Sequence, residues 1–369
     1  MSRARPRGTS RAAVAVGAIV TAAVVAGGGV HLLTGTDDKD AHRPSATPRT
    51  PPSGRERPSG PSPTGTKDPR PASARFAPYV DSTLSPPYDM VDTATKTGVK
   101  EFNLAFISPG AACTPKWGGK SALADNAVAG RIEALRAKGG DVRVSFGGQG
   151  GSELARSCRS VSRLADAYGR IIDTYRLTKI DFDVERDALT DTAANTRRAR
   201  AVARLQKDHP DLQVSYTLPV MPAGLNPRAL DLLTDARKNG VRISAVNIMA
   251  MDYGTSFGDD MGLYAIQAAT STQKQLRSAL GLSDAAAWKT LAVTPMIGLN
   301  DVTTETFTLD DAKELVAFAE SKDLAWLSMW SSTRDKPCPG GRAKSARATC
   351  SSVLEDELAY TRALGAYND

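Results

Sequence analysis

From Arg75 onward, eight short apolar runs alternate with stretches of helical spacing, and this alternation restricts the chain to few architectures. The runs are 75–81, 101–107, 142–147, 179–184, 212–218, 243–251, 290–296 and 325–330. Helical periodicity falls between or after them at 123–138, 154–175, 195–207, 227–238, 264–280, 309–321 and 353–364. Strands that alternate with helices pair in parallel, because the helix supplies the crossover. Eight such units over 75–369 predict an α/β domain of the (β/α)8 TIM-barrel type, for which about 250 residues is usual. A doubly wound open sheet is the competing architecture. It normally carries a glycine-rich turn after its first strand, and 79–86 contains no glycine.

The chain before Arg75 reads differently. Arg3, Arg5, Arg7 and Arg11 precede an uncharged run from Ala12 to Val30, the pattern of a positive region followed by an apolar one. Residues 1–33 are therefore expected to be a signal peptide or a membrane anchor; the 19-residue run is long enough for either. Residues 34–74 are Pro, Ser, Thr, Gly and Arg with almost no large apolar side chain, and are expected to form a disordered spacer. The expected location is secreted, or extracytoplasmic and held at the membrane. Residues 1–74 hold 11 basic and 5 acidic side chains, whereas 75–369 hold 36 and 35. Of the net charge of +7, +6 thus belongs to the tail and +1 to the domain, which lacks the footprint of a nucleic-acid binder.

Four cysteines, Cys113, Cys158, Cys338 and Cys350, fit two disulfides outside the cell. Cys338 and Cys350 bracket a short Gly/Lys/Arg segment and are expected to pair, leaving Cys113 with Cys158. No CxxC spacing occurs, and the histidines are His31, His42 and His209, so neither a metal nor a cofactor is expected.

The chemistry is concentrated in Ile180-Asp181-Phe182-Asp183-Val184-Glu185. In a strand, the period of two puts the three acids on one face and the apolar residues on the other. Alternate residues rise about 6.5–7 Å, so the acids form a column towards the C-terminal end of the fourth expected strand, where barrel active sites lie. Crowded carboxylates cannot all ionise cheaply, so at least one keeps a proton at neutral pH. A protonated carboxylic acid is what cleavage of a glycosidic bond requires.

The segment Thr178–Glu185 resembles the signature of family 18 glycoside hydrolases, the chitinase family, which reads Asp-Gly-x-Asp-x-Asp-x-Glu. Ser145-Phe146-Gly147-Gly148 is similar to the family's Ser-x-Gly-Gly, and Met249-Ala250-Met251-Asp252-Tyr253 to its Met-x-Tyr-Asp. Trp330 ends the eighth expected strand, where the family has a tryptophan beneath the sugar. The resemblance implies a retaining, substrate-assisted mechanism in which the substrate's 2-acetamido oxygen attacks C1. It makes Glu185 the general acid and base, Asp183 the residue that orients the acetamido group, and Asp181 its tuner, with Ser145 as a hydrogen-bond partner. Ser145, Gly147, Gly148, Met251, Asp252, Tyr253 and Trp330 are the corresponding substrate-binding positions. Thr178-Lys179 replaces Asp-Gly, Val184 replaces a common Trp, and Met251 stands where the family has Tyr. Tyr253 is a candidate substitute for that Tyr.

Other residues carry weaker signals. Trp117 is suited to sugar stacking or to loop anchoring, Trp326 to filling the barrel, and Trp288 to packing. Gln149 and the adjacent glycines suit a tight turn or a sugar contact, and Asn300 and Asp301 suit substrate binding or a helix cap. Aromatic residues are only 6% of the chain, which points to a short, non-processive cleft. The expected substrate is chitin or another β-1,4-linked N-acetylglucosamine glycan. Alternatives are endo-β-N-acetylglucosaminidase action on N-glycans, or a catalytically weak chitooligosaccharide-binding protein.

Overall fold

The computed structural model describes residues 74–150 and 152–368, within the compact unit Pro69–Asp369. The expected export segment, and all of the expected spacer except Ala74, lie outside the described residues. Among the described residues no helix is long and apolar enough to cross a membrane.

The unit is a mixed α/β fold on a curled parallel sheet. Its main strands are β1 (Tyr79–Asp81), β2 (Glu101–Pro109), β3 (Asp141–Gly147), β4 (Lys179–Asp183), β5 (Gln213–Met221), β6 (Ala245–Ala250), β7 (Leu291–Pro295) and β8 (Trp326–Leu327). They pair in this order, each parallel to the next. At the two edges Phe76 bridges Leu327 in parallel, and Tyr79 N donates to Met329 O at 3.1 Å. The curl is also visible across the sheet: Tyr79 on β1 reaches Asp181 on β4 and Asn247 on β6.

All eight expected strands are present, but continuous β8 is shorter than its apolar run: beyond Leu327 only isolated contacts persist, Tyr79 N to Met329 O and a parallel bridge between Trp330 and Met296. The apolar faces pack outward under helices. Phe146 stacks on Phe182 at 5.3 Å, and Tyr168, from the helix Val161–Tyr175, meets both edge-on. Burying such faces is the main drive for assembly.

Helix limits differ where local chemistry intervenes. The expected helix 154–175 splits into Leu154–Ser157 and Val161–Tyr175. The break holds Cys158, disulfide-bonded to Cys113, and Ser160, whose side chain caps the second piece. The expected helix 123–138 is reduced to two 3-10 turns and Ile132–Arg136, because Asn126 turns the chain by accepting from Val128 N and Ala129 N. The short helix Met90–Thr97 was not legible as a helical period; Asp89 opens it and Gly98 ends it in the left-handed conformation. The second disulfide is Cys338–Cys350, so both expected pairings are present.

Candidate active site

The inner face of the sheet is polar, and its lower part is fully wired. Register places Ser145 and Ser215 on either side of Asp181. Asp181 is wholly buried, and its two oxygens accept from Ser145 Oγ (2.6 Å), Ser215 Oγ (2.6 Å), Tyr79 OH (2.9 Å) and Thr217 Oγ1 (3.0 Å). Asn247 donates to Thr217 at 3.0 Å and accepts from Thr294 at 2.8 Å. The basic residue on this strand, Lys179, pairs with Glu101 at the opposite end rather than with the acid column.

One step higher the wiring stops. Asp183 is buried, and its Oδ1 has no hydrogen-bond partner. Burial, then the charges of Glu185 and Asp181, push its carboxyl well above the usual carboxylate range. Glu185, half-buried at the N-terminal cap of the short helix Arg186–Thr190, is also raised by burial, while its hydrogen bond with Asp183 acts the other way. The pair therefore holds a proton more tightly than free carboxylates would.

Gly147 and Gly148 make this approach possible. Gly147 has φ +109°, and a Cβ there would lie 2.1 Å from Asp183 O. At Gly148, with φ +91°, a Cβ would strike the Phe106 ring at 2.7 Å.

Asp183 and Glu185 open into a cavity of about 320 Å³, near the lower limit of ligand pockets, about 300 Å³. Its floor includes Trp330, stacked on Phe106 with centroids 5.6 Å apart, and Tyr79 tilted against both. Asp252, Met251, Asp301 and Gln149 border it too. Asp252 has φ +52°; its Oδ1 accepts from Val302 N at 2.9 Å, and burial raises its carboxyl. Buried Glu305 steadies the same turn by accepting from Gly254 N at 2.7 Å.

The structure thus gathers Asp183, Glu185, Met251, Asp252 and Trp330 around one cavity, with Asp181 beneath it. Ser145, Gly147, Gly148 and Tyr253 do not border it. Ser145 is consumed by Asp181, and the glycines clear space for backbone and ring. Tyr253 is buried against Phe257 and Tyr264, so it does not take the place of the Tyr replaced by Met251. Trp117 is also buried, donating to Tyr175 OH at 2.8 Å: it anchors its loop and is not a stacking surface. Trp326 is buried under the Arg143 guanidinium, 4.6 Å from the ring centroid. Asn300 is spent on the carbonyls of Met296 and Gly298, whereas Asp301 borders the cavity.

Residues that sequence reasoning missed are Tyr79, Phe106, Thr217, Asn247 and Thr294. Polar alternation along Ser215-Tyr216-Thr217 was a usable signal. Nothing local could place Tyr79 against a residue 102 positions away. Among the described residues, Asp260, Asp311 and Glu314 are close enough to hold a metal ion; none of them borders the cavity.

No family model matches the chain. Two curated relatives do. The probable bifunctional chitinase/lysozyme of Escherichia coli (strain K12) is 37% identical over 298 residues, covering 74% of this chain and 33% of the relative. Endochitinase 11 of Metarhizium anisopliae is 36% identical over 299 residues, covering 74% of this chain and 56% of the relative. The chain therefore spans a third to about half the length of these relatives. The crystal structure of the catalytic domain of a hyperthermophilic chitinase from Pyrococcus furiosus superposes with a TM-score of 0.72 at 32% identity, covering 79% of this chain and 94% of that one. The chain belongs to family 18 of the glycoside hydrolases, the chitinase family.

Proposed function

We propose that this protein is a chitinase-like glycoside hydrolase that cleaves β-1,4-linked N-acetylglucosamine glycans with retention, using the substrate's own acetamido group as nucleophile. The observation that carries the reading is the Asp183–Glu185 pair, one carboxyl buried and one half-buried beside a ring-floored cavity, with burial raising both. The chitinase names of the relatives and of the structural neighbour support the same substrate class.

In this mechanism the sugar at the cleavage point lies on Trp330. Glu185 donates its proton to the glycosidic oxygen, and the leaving sugar departs with that proton. The acetamido oxygen bonds to C1, and its N–H points to Asp183, whose unpartnered Oδ1 is free to accept. Glu185, now ionised, removes a proton from the water that opens the cyclic intermediate. Asp181, tied to four hydroxyls, holds Asp183 from below. Asp252 contributes to placing the acetamido group and the water. Because Glu185 must begin protonated, kcat/KM should fall as pH rises through its raised pKa.

The same reading takes the curled sheet as a complete (β/α)8 barrel, supported by its eight ordered strands and the Phe76–Leu327 bridge. It places residues 1–33 as an export or anchor segment and 34–74 as a spacer, with 75–369 catalytic and acting outside the cytoplasm. The small cavity fits a short, non-processive cleft.

The test is incubation of the protein with N-acetylglucosamine tetramer and, separately, a high-mannose glycopeptide, with Glu185→Gln as control and mass spectrometry of products. Tetramer cleavage supports the chitinase reading. Cleavage of the glycopeptide alone replaces it with N-glycan release, and binding without cleavage replaces it with a sugar reader.

A further inference from the structure

This inference rests on the acetamido-sugar reading above. Above the level of Asp183, the inner surface of three neighbouring strands changes character. Register aligns Thr217 with Asn247 across β5 and β6, and Pro219 with Met249 and Thr294 one step on. The hydrogen-bonded ring ends at Thr217, Asn247 and Thr294. The next inward positions are Pro219, Met249 and Met296, followed by Met221 and Met251. All five border the cavity, so four of the chain's eight methionines meet there. The aromatic rings lie elsewhere, on β1, β2 and after β8. Asp183, with its unpartnered Oδ1, borders the same space.

The physical contrast is between a fixed wall and an adjustable one. Methionine is unbranched, has three rotatable bonds and a polarizable sulfur, and methionine-rich surfaces re-pack around apolar groups of different shape. These side chains also have room to move: Met249 and Met251 are half-buried and Met221 is 40% exposed, while Met296 is 3% exposed and forms the fixed base. A sugar whose amide N–H meets Asp183 would carry its acyl carbons onto this wall.

We infer that the wall receives the N-acyl group and that the site accepts 2-acylamino sugars with acyl chains longer than acetyl. A fixed apolar pocket discriminates one methylene by about 10–200-fold. An adjustable one should discriminate less. Met251 is the residue that sets the limit, since it stands where the family signature has the broader and stiffer Tyr.

The experiment measures kcat/KM for chitotetraose and for tetramers carrying N-propionyl and N-butyryl groups. For the native protein, N-propionyl should fall within about 10-fold of N-acetyl, below the range for a fixed pocket. Met251→Tyr and Met249→Ile should each lower the propionyl-to-acetyl ratio by a further order of magnitude. Rejection of N-propionyl by the native protein beyond 10-fold, or ratios unchanged in the variants, overturns the inference. If Met249→Ile does not fold, Met251→Tyr at the half-exposed position decides. If the acetyl tetramer itself is not cut, the proposed activity fails, and tryptophan fluorescence titration with the tetramers then decides this point. Binding of N-propionyl within 10-fold of N-acetyl sustains the wall; absence of N-propionyl binding overturns it.

Discussion

Asp181 and Asp183 sit two residues apart on one strand and are both buried, yet their surroundings are opposite. Asp181 is gripped by hydroxyls from β1, β3 and β5. Asp183 keeps an oxygen with no partner, and its carboxyl is pushed up. A buried polar group without a partner costs stability, so the lower layer reads as structure and the upper layer as a place held ready for a ligand. The difference teaches that a motif can be one chemical ladder in sequence and two functional storeys in space. Strand register decides the storey: Gly147, not a serine, is the neighbour of Asp183 on β3.

The sharpest way to break this comparison is at the top. Glu185→Gln should lower tetramer turnover by at least about 100-fold, the scale of lost general-acid catalysis, with the far-UV circular dichroism spectrum unchanged. Full retention of turnover would remove Glu185 from the role. Asp183→Asn should also lower kcat by about 100-fold while sugar affinity, read by tryptophan fluorescence, persists.

The same variant carries a stability signature. The folded pKa of Asp183 is raised, so its contribution to stability is fully present below the unfolded value near 3.8 and is lost as pH rises through the folded pKa. Asp183→Asn should therefore flatten the fall in melting temperature on going from acid to neutral pH. A steeper fall in the variant would mean that Asp183 is not strained by its burial.

Below, the expected effect is on folding. Asp181→Asn puts two N–H donors among hydroxyls that now donate to a carboxylate, and should cost about 1–3 kcal/mol by denaturant titration. No loss of stability would erase the contrast between the storeys. Smaller in its bearing on the site is the pair of disulfides. Chain entropy assigns about 4 kcal/mol to Cys113–Cys158 and about 3 kcal/mol to Cys338–Cys350, from sequence separations of 45 and 12. Replacing each pair by Ala should reproduce that order in urea midpoints and leave the pH profile of turnover unmoved.

Much of this was legible in the chain. The eight strands, the Cys338–Cys350 pair and the acid column follow from patterns of period two, period 3.6 and short spacing, which are local; Cys113–Cys158 followed only as the pair left over. Helix breaks at Ser160 and Asn126 were less visible, because a single cap overrides a periodic run only when its side chain finds the right backbone N–H. Ser145 bonds to Asp181 as the motif implies, whereas Tyr253 turns away from the cavity, because a motif gives order along the chain, not which face of a turn reaches the cavity.

By itself, then, the sequence determined the strand–helix alternation, the carboxylates at every second position and the family they resemble, since each depends on neighbours a few residues apart. Only the tertiary structure decided that Tyr79 would brace Asp181 and that Phe106 and Trp330 would stack. It also decided that Asp183 would be left with an unpartnered oxygen beneath a wall of methionines. Those outcomes depend on the curl of the sheet, which brings side chains from distant strands within bonding distance and leaves some of them without a partner.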